Sequence, residues 1–191
     1  MPTLNLDNLT SPSIILDLGE YILRPQRPTD VSARYACLSD PEVTRLTSYE
    51  IESESQVAEM MDAEIAGYAP KTSYRWAIAR KDTDVLIGTC GYPWWYTGYS
   101  ITEIGYELSR SYWGTGLMTR AVQACVKWGF ETLEANRIQA TVMVNNFGSA
   151  RVLEKNGFLL EGTMREFKIY HGQPCNYWMF ALLRKDYKHN Q

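Results

Sequence analysis

Residues 106–121 (YELSRSYWGTGLMTRA) have the clearest chemical meaning in this 191-residue chain. Gly114 and Gly116 follow a β-rich run and stand directly before an apolar pattern with helical spacing. Glycine lets the backbone approach a ligand closely, and the unpaired N–H groups of a helix's first turn attract anions. The pattern predicts a pyrophosphate-binding turn at a helix N-terminus, with a plain turn as the alternative.

Other nucleotide motifs do not fit this segment. The chain has no GxxxxGK[ST] run, and the GTG sequence lacks the third glycine and the βαβ setting of a dinucleotide-binding motif. Nucleoside triphosphates and NAD are therefore disfavoured as ligands.

Two carboxylates share one face of a predicted strand at residues 101–108. Side chains alternate along a strand, so Glu103 and Glu107 point to one face and Tyr106 to the other. At ~3.3 Å per residue the two carboxylates lie roughly 13 Å apart, too far for a direct catalytic dyad.

Composition excludes several classes of chemistry. Only two histidines, His171 and His189, occur, and the four cysteines form no CxxC pair, so we expect no metal site and no Ser-His or Cys-His nucleophile. The net charge of −3 without a basic stripe argues against nucleic acid as a partner. The unpaired cysteines and the lack of a signal or membrane-spanning segment predict a cytoplasmic protein with no membrane partner.

The remaining patterns predict the elements that position these residues. Extended segments are expected at residues 14–24 (a hairpin or one bulged segment), 74–80, 85–92, 101–108, 137–144, 158–170 and 175–183. Helices are expected at about 30–38, after the Ser53/Gln56 capping box, at 116–132 and at 147–156. This order predicts one α/β (α+β) domain over residues 1–191, with its core at about 18–185 and a largely antiparallel sheet.

Four segments in order resemble the GNAT superfamily of acyl-CoA-dependent N-acetyltransferases, especially its RimJ/RimL-type branch of ribosomal-protein N-terminal acetyltransferases. They are LGEYILRP (18–25), LSDPEVTR (38–45), EIGYELS with YWGTG (103–116) and NFGSARVLEKNGFLLEG (146–162). The resemblance implies a sheet of about seven strands flanked by about four helices and splayed between strands four and five.

The resemblance also implies where acetyl-CoA binds. The pantetheine arm would pair with the backbone near Leu108 and Ser109, and Asn146 and Ser149 would face the thioester. The main-chain amides expected to hold the pyrophosphate are those of Gly114, Thr115, Gly116, Leu117 and Met118.

Three positions depart from the family pattern. Ser111 stands where the superfamily usually has Gln or Arg, which leaves the phosphates to the backbone amides alone. Arg120 replaces a Glu that is frequent in this branch. Leu153 stands where many relatives have a Tyr that protonates the departing thiolate, so Ser149 becomes the expected general acid.

Amine acetylation needs a base, because an alkyl ammonium with a pKa near ~10 cannot attack a thioester before it loses a proton. The resemblance places a catalytic Glu at Glu103, which is the first candidate, and Glu161 in GFLLEG is the second. Glu107 is expected to be structural or to contact substrate. For each carboxylate, a solvated or salt-bridged strand residue is the alternative.

The predicted function is transfer of an acetyl group from acetyl-CoA to a primary amine, either a protein N-terminus or a small molecule. The alternatives are a non-catalytic acyl-CoA-binding module and an interaction protein without a small ligand. The aromatic residues Tyr92, Trp94, Trp95, Tyr96 and Tyr99 either wall the acceptor pocket or serve packing or a homodimer contact.

Overall fold

A computed structural model of the chain describes residues 4–6, 14–45, 47, 50–68 and 71–189. The described strands are β1 (Leu16–Asp17), β2 (Tyr21–Pro25), β3 (Tyr74–Arg80), β4 (Leu86–Tyr96), β5 (Ile101–Leu108), β6 (Arg137–Met143), β7 (Leu159–Tyr170) and β8 (Gln173–Leu183). The described helices are α1 (Val31–Leu38), α2 (Pro41–Thr44), α3 (Glu54–Ala66), α4 (Leu117–Glu131), α5 (Phe147–Lys155) and α6 (Arg184–His189).

The strands form one sheet in the order β1-β2-β3-β4-β5-β6-β8-β7, antiparallel everywhere except between β5 and β6. The β5–β6 pair holds register only from Ile101 to Glu103, opposite Arg137 to Gln139. Beyond Glu103 the two strands separate, and the sheet opens.

The expected α/β fold with a splayed, mostly antiparallel sheet is confirmed. The described part has eight strands and six helices rather than about seven and about four. The two-residue β1 shifts the numbering, so the expected opening between strands four and five lies between β5 and β6. The short helices α2 and α6 account for the two additional helices.

Helix α4 covers the sheet and sets the position of the glycine turn that precedes it. Its buried face includes Leu117, Ala121, Cys125 and Trp128. The Trp128 ring lies 5.0 Å from Trp76 and 5.9 Å from Tyr92, between ring centroids. Aromatic packing of this kind adds to the free energy gained by burying apolar surface.

A buried ion network fixes β5 from the other side of the sheet. Glu107, only 4% exposed, accepts from Arg34 Nε at 3.0 Å, from Thr89 Oγ1 at 2.6 Å, and from Arg75. Arg34 also donates to Glu64 on α3 at 2.6 Å. Because buried charges need partners, Glu107 serves the structure, and this network ties α1 and α3 to β5.

Candidate active site

The opening between β5 and β6 forms a cleft made of two adjoining cavities. One is about 470 Å³ and contains Glu103, and the other is about 450 Å³ and contains Gly114 and Met118. Tyr106 and Ser149 line both cavities, so the two are halves of one site. A groove of about 780 Å³ on another face of α4 includes none of the expected site residues.

The glycine turn lies at one end of the cleft. Gly114 and Gly116 have φ of +75° and +78°, and Gly116 is the N-cap of α4. A Cβ built on either glycine would have no neighbour within 4 Å, so the turn faces open space. Both glycines adopt the left-handed conformation because other residues rarely can.

Main-chain amides of this turn are available to a ligand. Leu117 N–H lies 3.3 Å from Thr115 Oγ1, whereas the N–H groups of Gly114, Gly116 and Met118 donate to no other residue in the described part of the chain. Free amides at the start of a helix are suited to a diphosphate. The expected pyrophosphate residues therefore lie together at the cleft.

The end of β5 presents its backbone to the opening. Ser109 N–H donates to Ile87 O at 2.8 Å, which commits this amide to β4. Because successive N–H groups point to opposite edges of a strand, the Leu108 N–H faces the opening. The Leu108 carbonyl accepts the Trp113 indole N–H at 2.8 Å, so Leu108 offers only its amide. Ser109 offers neither backbone group, because its carbonyl accepts the Tyr112 N–H at 3.0 Å.

The N-terminus of α5 closes the other wall of the cleft. The Asn146 side chain caps the helix by accepting the Ser149 N–H at 3.1 Å. Ser149 Oγ then lies 2.8 Å from the Tyr106 hydroxyl, which is also 3.2 Å from the Ser149 carbonyl oxygen. Desolvation raises the pKa of the Tyr106 phenol above its ordinary value.

Tyr106 is a cleft residue that was not expected from the sequence. Side-chain alternation predicted only that Tyr106 lies on the face of β5 opposite Glu103. Its contact with Ser149 could not be predicted from a local pattern, because the two residues are 43 positions apart. The position of Tyr106 two residues before Leu108, beyond the part of β5 that pairs with β6, was the feature that could have indicated a cleft residue.

Glu103 lies at the point where β5 and β6 separate. Its carboxylate accepts from Thr141 Oγ1 at 3.0 Å and from Gln139 Nε2 at 3.4 Å, and it lines the larger half of the cleft. A partly buried carboxylate beside open space can receive a proton from a bound amine.

Glu161 has a different environment. Arg137 donates to both of its oxygens, at 2.8 and 2.6 Å, and Glu161 lines neither half of the cleft. The hydrogen bonds and charge of Arg137 lower the pKa of Glu161, which is the opposite of what a general base requires.

The aromatic residues before β5 divide into separate environments. Trp94 is 54% exposed and lines the half of the cleft that contains Glu103, whereas Tyr92 is fully buried against α4. Tyr96 and Tyr99 are exposed outside both halves. Trp94 is thus the member of this group that can contact an acceptor in the cleft.

The described residues contain neither a metal-binding cluster nor a membrane-spanning helix. No group of three or more His, Cys, Asp or Glu side chains stands close enough to hold a metal ion. No described helix is both long and apolar enough to cross a bilayer.

Residues 21–159 match the family model described as Acetyltransferase (GNAT) domain. The chain is 35% identical over 171 residues to the uncharacterized N-acetyltransferase YoaA of Bacillus subtilis strain 168, covering 89% of this chain and 97% of that protein.

Solved structures share the fold at lower identity. The ribosomal L7/L12 N-acetyltransferase RimL in complex with coenzyme A superposes with a TM-score of 0.80 at 19% identity, covering 89% of this chain and 98% of that one. The ribosomal-protein-S5-alanine acetyltransferase from Vibrio fischeri gives 0.81 at 19% identity, covering 91% and 98%.

Proposed function

This chain belongs to the GNAT acetyltransferase family and is an acetyl-CoA-dependent N-acetyltransferase, and we propose that it acetylates an α-amino group by direct transfer in the cleft between β5 and β6. The observation that carries this proposal is the layout of that cleft. The amides of Gly114 and Met118, which donate to no other described residue, lie at one end, and the Glu103 carboxylate lies at the other.

The backbone amides at the cleft support one position for the coenzyme. The amides of Gly114, Thr115, Gly116, Leu117 and Met118 would hold the diphosphate at the positive end of the α4 dipole. The Leu108 amide would receive the pantetheine arm, since Ser109 N–H is already bonded to β4. This arrangement would direct the thioester towards Ser149 and Asn146.

Glu103 is the proposed base. Thr141 and Gln139 fix its carboxylate at the mouth of the splayed strands, where it can take a proton from a bound ammonium directly or through water. Glu161 is the second candidate base, because Arg137 donates to both Glu161 oxygens and lowers the pKa of Glu161.

The β5 backbone would stabilise the oxyanion that develops on the thioester carbonyl. Every second N–H of a strand points to the same edge, so the Tyr106 N–H faces the opening as the Leu108 N–H does. A fixed N–H donor aimed at developing negative charge is an effective device for acyl transfer.

Ser149 is the proposed proton donor to the departing sulfur, and its oxygen would then take the proton that the newly acylated, positively charged nitrogen releases. Its hydroxyl lies in both halves of the cleft, at the N-terminus of α5. A helix N-terminus favours nearby negative charge, which here would be the charge that develops on the thiolate.

An α-amino group suits this site better than an alkyl amine. Reference pKa values are about 8 for an α-amine and about 10.4 for lysine, so near pH 7 the neutral fraction of the α-amine is a few hundred times larger. Relatives named for ribosomal proteins, including the alanine N-acetyltransferase of protein uS5 in Escherichia coli, support testing peptide N-termini first. Small-molecule amines are the second acceptor class.

The test is coenzyme A release from acetyl-CoA with a panel of short peptides, N-blocked lysine peptides and polyamines. We expect turnover with free α-amines and much less with the other acceptors. Turnover confined to polyamines would overturn the acceptor assignment. Acetyl-CoA binding by calorimetry without turnover of any acceptor would favour the non-catalytic acyl-CoA-binding module.

Cellular location and assembly are part of the same proposal. The free thiols of Cys37, Cys90, Cys125 and Cys175 support a reducing, cytoplasmic compartment. A homodimer is the proposed assembly, and sedimentation equilibrium of the purified chain tests it.

A further inference from the structure

The hydroxyl groups of Tyr106 and Ser149 form a pair inside the cleft. The two oxygens lie 2.8 Å apart, and the Tyr106 hydroxyl also lies 3.2 Å from the Ser149 carbonyl oxygen. We propose that Tyr106 is a positioning residue for Ser149, holding the serine hydroxyl where it donates to the sulfur that leaves acetyl-CoA. This inference rests on the role proposed above for Ser149.

The hydrogen count of the pair supports this role. A phenol has one proton, so when Tyr106 donates to the Ser149 carbonyl, the serine hydroxyl must donate to the phenol oxygen. When the serine hydroxyl turns towards the sulfur, the phenol can turn to donate to Ser149 Oγ instead. The serine oxygen then keeps a partner while it donates to the leaving group.

Tyr106 is held rigidly enough to do this. It lies on β5, which is paired with β4 through Cys90, and its ring packs against the main core. The phenol stays protonated over the working pH range because desolvation raises its pKa. A rigid neutral donor next to a flexible hydroxyl selects one serine rotamer, which is how a supporting side chain sharpens a catalytic group.

The contact is independent of the coenzyme turn. Asn146 fixes the backbone of Ser149 by accepting its N–H, whereas Tyr106 is the described side chain that contacts the serine hydroxyl. Removing the phenol oxygen therefore frees the serine rotamer without altering the helix cap or the amides at Gly114.

The test begins with Tyr106→Phe, which keeps the ring and removes the hydroxyl. We expect kcat to fall about 5- to 10-fold, the effect of losing one neutral hydrogen bond. The KM and calorimetric Kd for acetyl-CoA should stay within about 2-fold. A fall in both affinity and melting temperature, with unchanged kcat, would show that the hydroxyl only supports packing and would overturn the proposal.

A double-mutant cycle with Ser149→Ala separates the two proposals. If Tyr106 acts through Ser149, the double variant should be no slower than Ser149→Ala alone. Losses that multiply in the double variant would overturn the positioning role and leave Ser149 as the donor. An unchanged rate in Ser149→Ala would instead overturn the role given to Ser149 under the proposed function.

Discussion

The carboxylates of Glu103 and Glu161 stand at opposite ends of one hydrogen-bond chain. Glu161 accepts hydrogen bonds from both terminal nitrogens of Arg137. Arg137 Nε donates to Gln139 Oε1 at 3.0 Å, and Gln139 Nε2 donates to Glu103 at 3.4 Å. The β5–β6 register makes this possible by placing Glu103 opposite Gln139. Two residues that the sequence offered as alternative bases therefore belong to one arrangement.

Unequal effects follow for the two carboxylates. We expect Glu103→Gln to lower kcat by about 10²- to 10⁴-fold, the range for a positioned base, with an unchanged Kd for acetyl-CoA. Glu161→Gln should lower kcat by less than about 10-fold, because it reaches Glu103 only through Arg137 and Gln139. Steady-state thiol release and calorimetry measure both effects.

Glu154→Gln is the matched control for this pair. Glu154 is an exposed α5 carboxylate that lines neither half of the cleft, so its loss should leave kcat unchanged. A larger loss in Glu161→Gln than in Glu103→Gln would reverse the assignment of the base.

The glycine turn gives a second prediction. Gly114→Val should raise the Kd for acetyl-CoA at least ~10-fold, because a β-branched residue resists φ of +75° and would project into the space facing the amides. Isothermal titration calorimetry measures the change.

Gly172→Val controls for backbone strain alone. Gly172 lies between β7 and β8 with φ of +69° and, like Gly114, has no neighbour within 4 Å of a built Cβ. The free energy of unfolding should fall by a similar amount in both variants, on the order of 1–3 kcal/mol. Only Gly114→Val should lose affinity for acetyl-CoA. Equal acetyl-CoA affinities in the two variants would show that the glycine turn is not part of the coenzyme site.

Local sequence patterns predicted several helices and strands of the fold correctly. The capping box formed by Ser53 and Gln56, the helix after Gly116 and the strand at residues 101–108 all depend on short-range periodicity and are confirmed. The opening between β5 and β6 was implied only by the family resemblance, and the parallel pairing of these strands was not predicted, because pairing between distant strands leaves no local trace in a single sequence.

Side-chain partners in the site could not be predicted in the same way. Arg34 and Glu107 are 73 positions apart, and Arg137 and Glu161 are 24 apart. A strand carboxylate looks alike in sequence whether buried arginines occupy its oxygens, as they do for Glu107, or neutral side chains alone contact it, as they do for Glu103. Only the packing of α1 on β4, which brings Arg34 to Glu107, distinguishes them.

The buried network predicts a pH-dependent stability at Glu64. Burial by itself raises the pKa of Glu64, but the charges of Arg75 and Arg34 outweigh it, so the pKa is lowered in the folded state. A lowered folded pKa stabilises the protein above the unfolded value of about 4.3, and this contribution is lost as the pH falls through the folded pKa.

Urea unfolding of wild type and Glu64→Gln tests this sign. We expect the difference in unfolding free energy to be largest above about pH 5 and to narrow as the pH falls below about 4. Glu59→Gln, at an exposed position on α3, is the control and should change the unfolding free energy little. A difference for Glu64→Gln that grows towards acid pH would contradict the assigned shift.

The packing of α4 onto β4 supplies the last prediction, at Gly129. A Cβ on this buried helical residue would overlap the Tyr92 hydroxyl and lie 2.9 Å from Ile138 Cδ1. Alanine would improve helix propensity by about 1 kcal/mol, whereas overpacking a core typically costs 1–3 kcal/mol. It would also displace the Tyr92 hydroxyl from Cys125 O, 2.6 Å away. We therefore expect Gly129→Ala to destabilise the protein by about 1–2 kcal/mol in urea unfolding.

Tyr92→Phe identifies the cause of that loss. If the clash with the phenol oxygen dominates, Gly129→Ala should cost less in the Tyr92→Phe background than in wild type, a coupling between two contacting residues. Acetyl-CoA affinity should fall in Gly129→Ala and partly recover in the double variant, because α4 carries the amides of the turn at its N-terminus. A Gly129→Ala variant more stable than wild type would show that helix propensity outweighs the contact, and that α4 can move off β4 without loss.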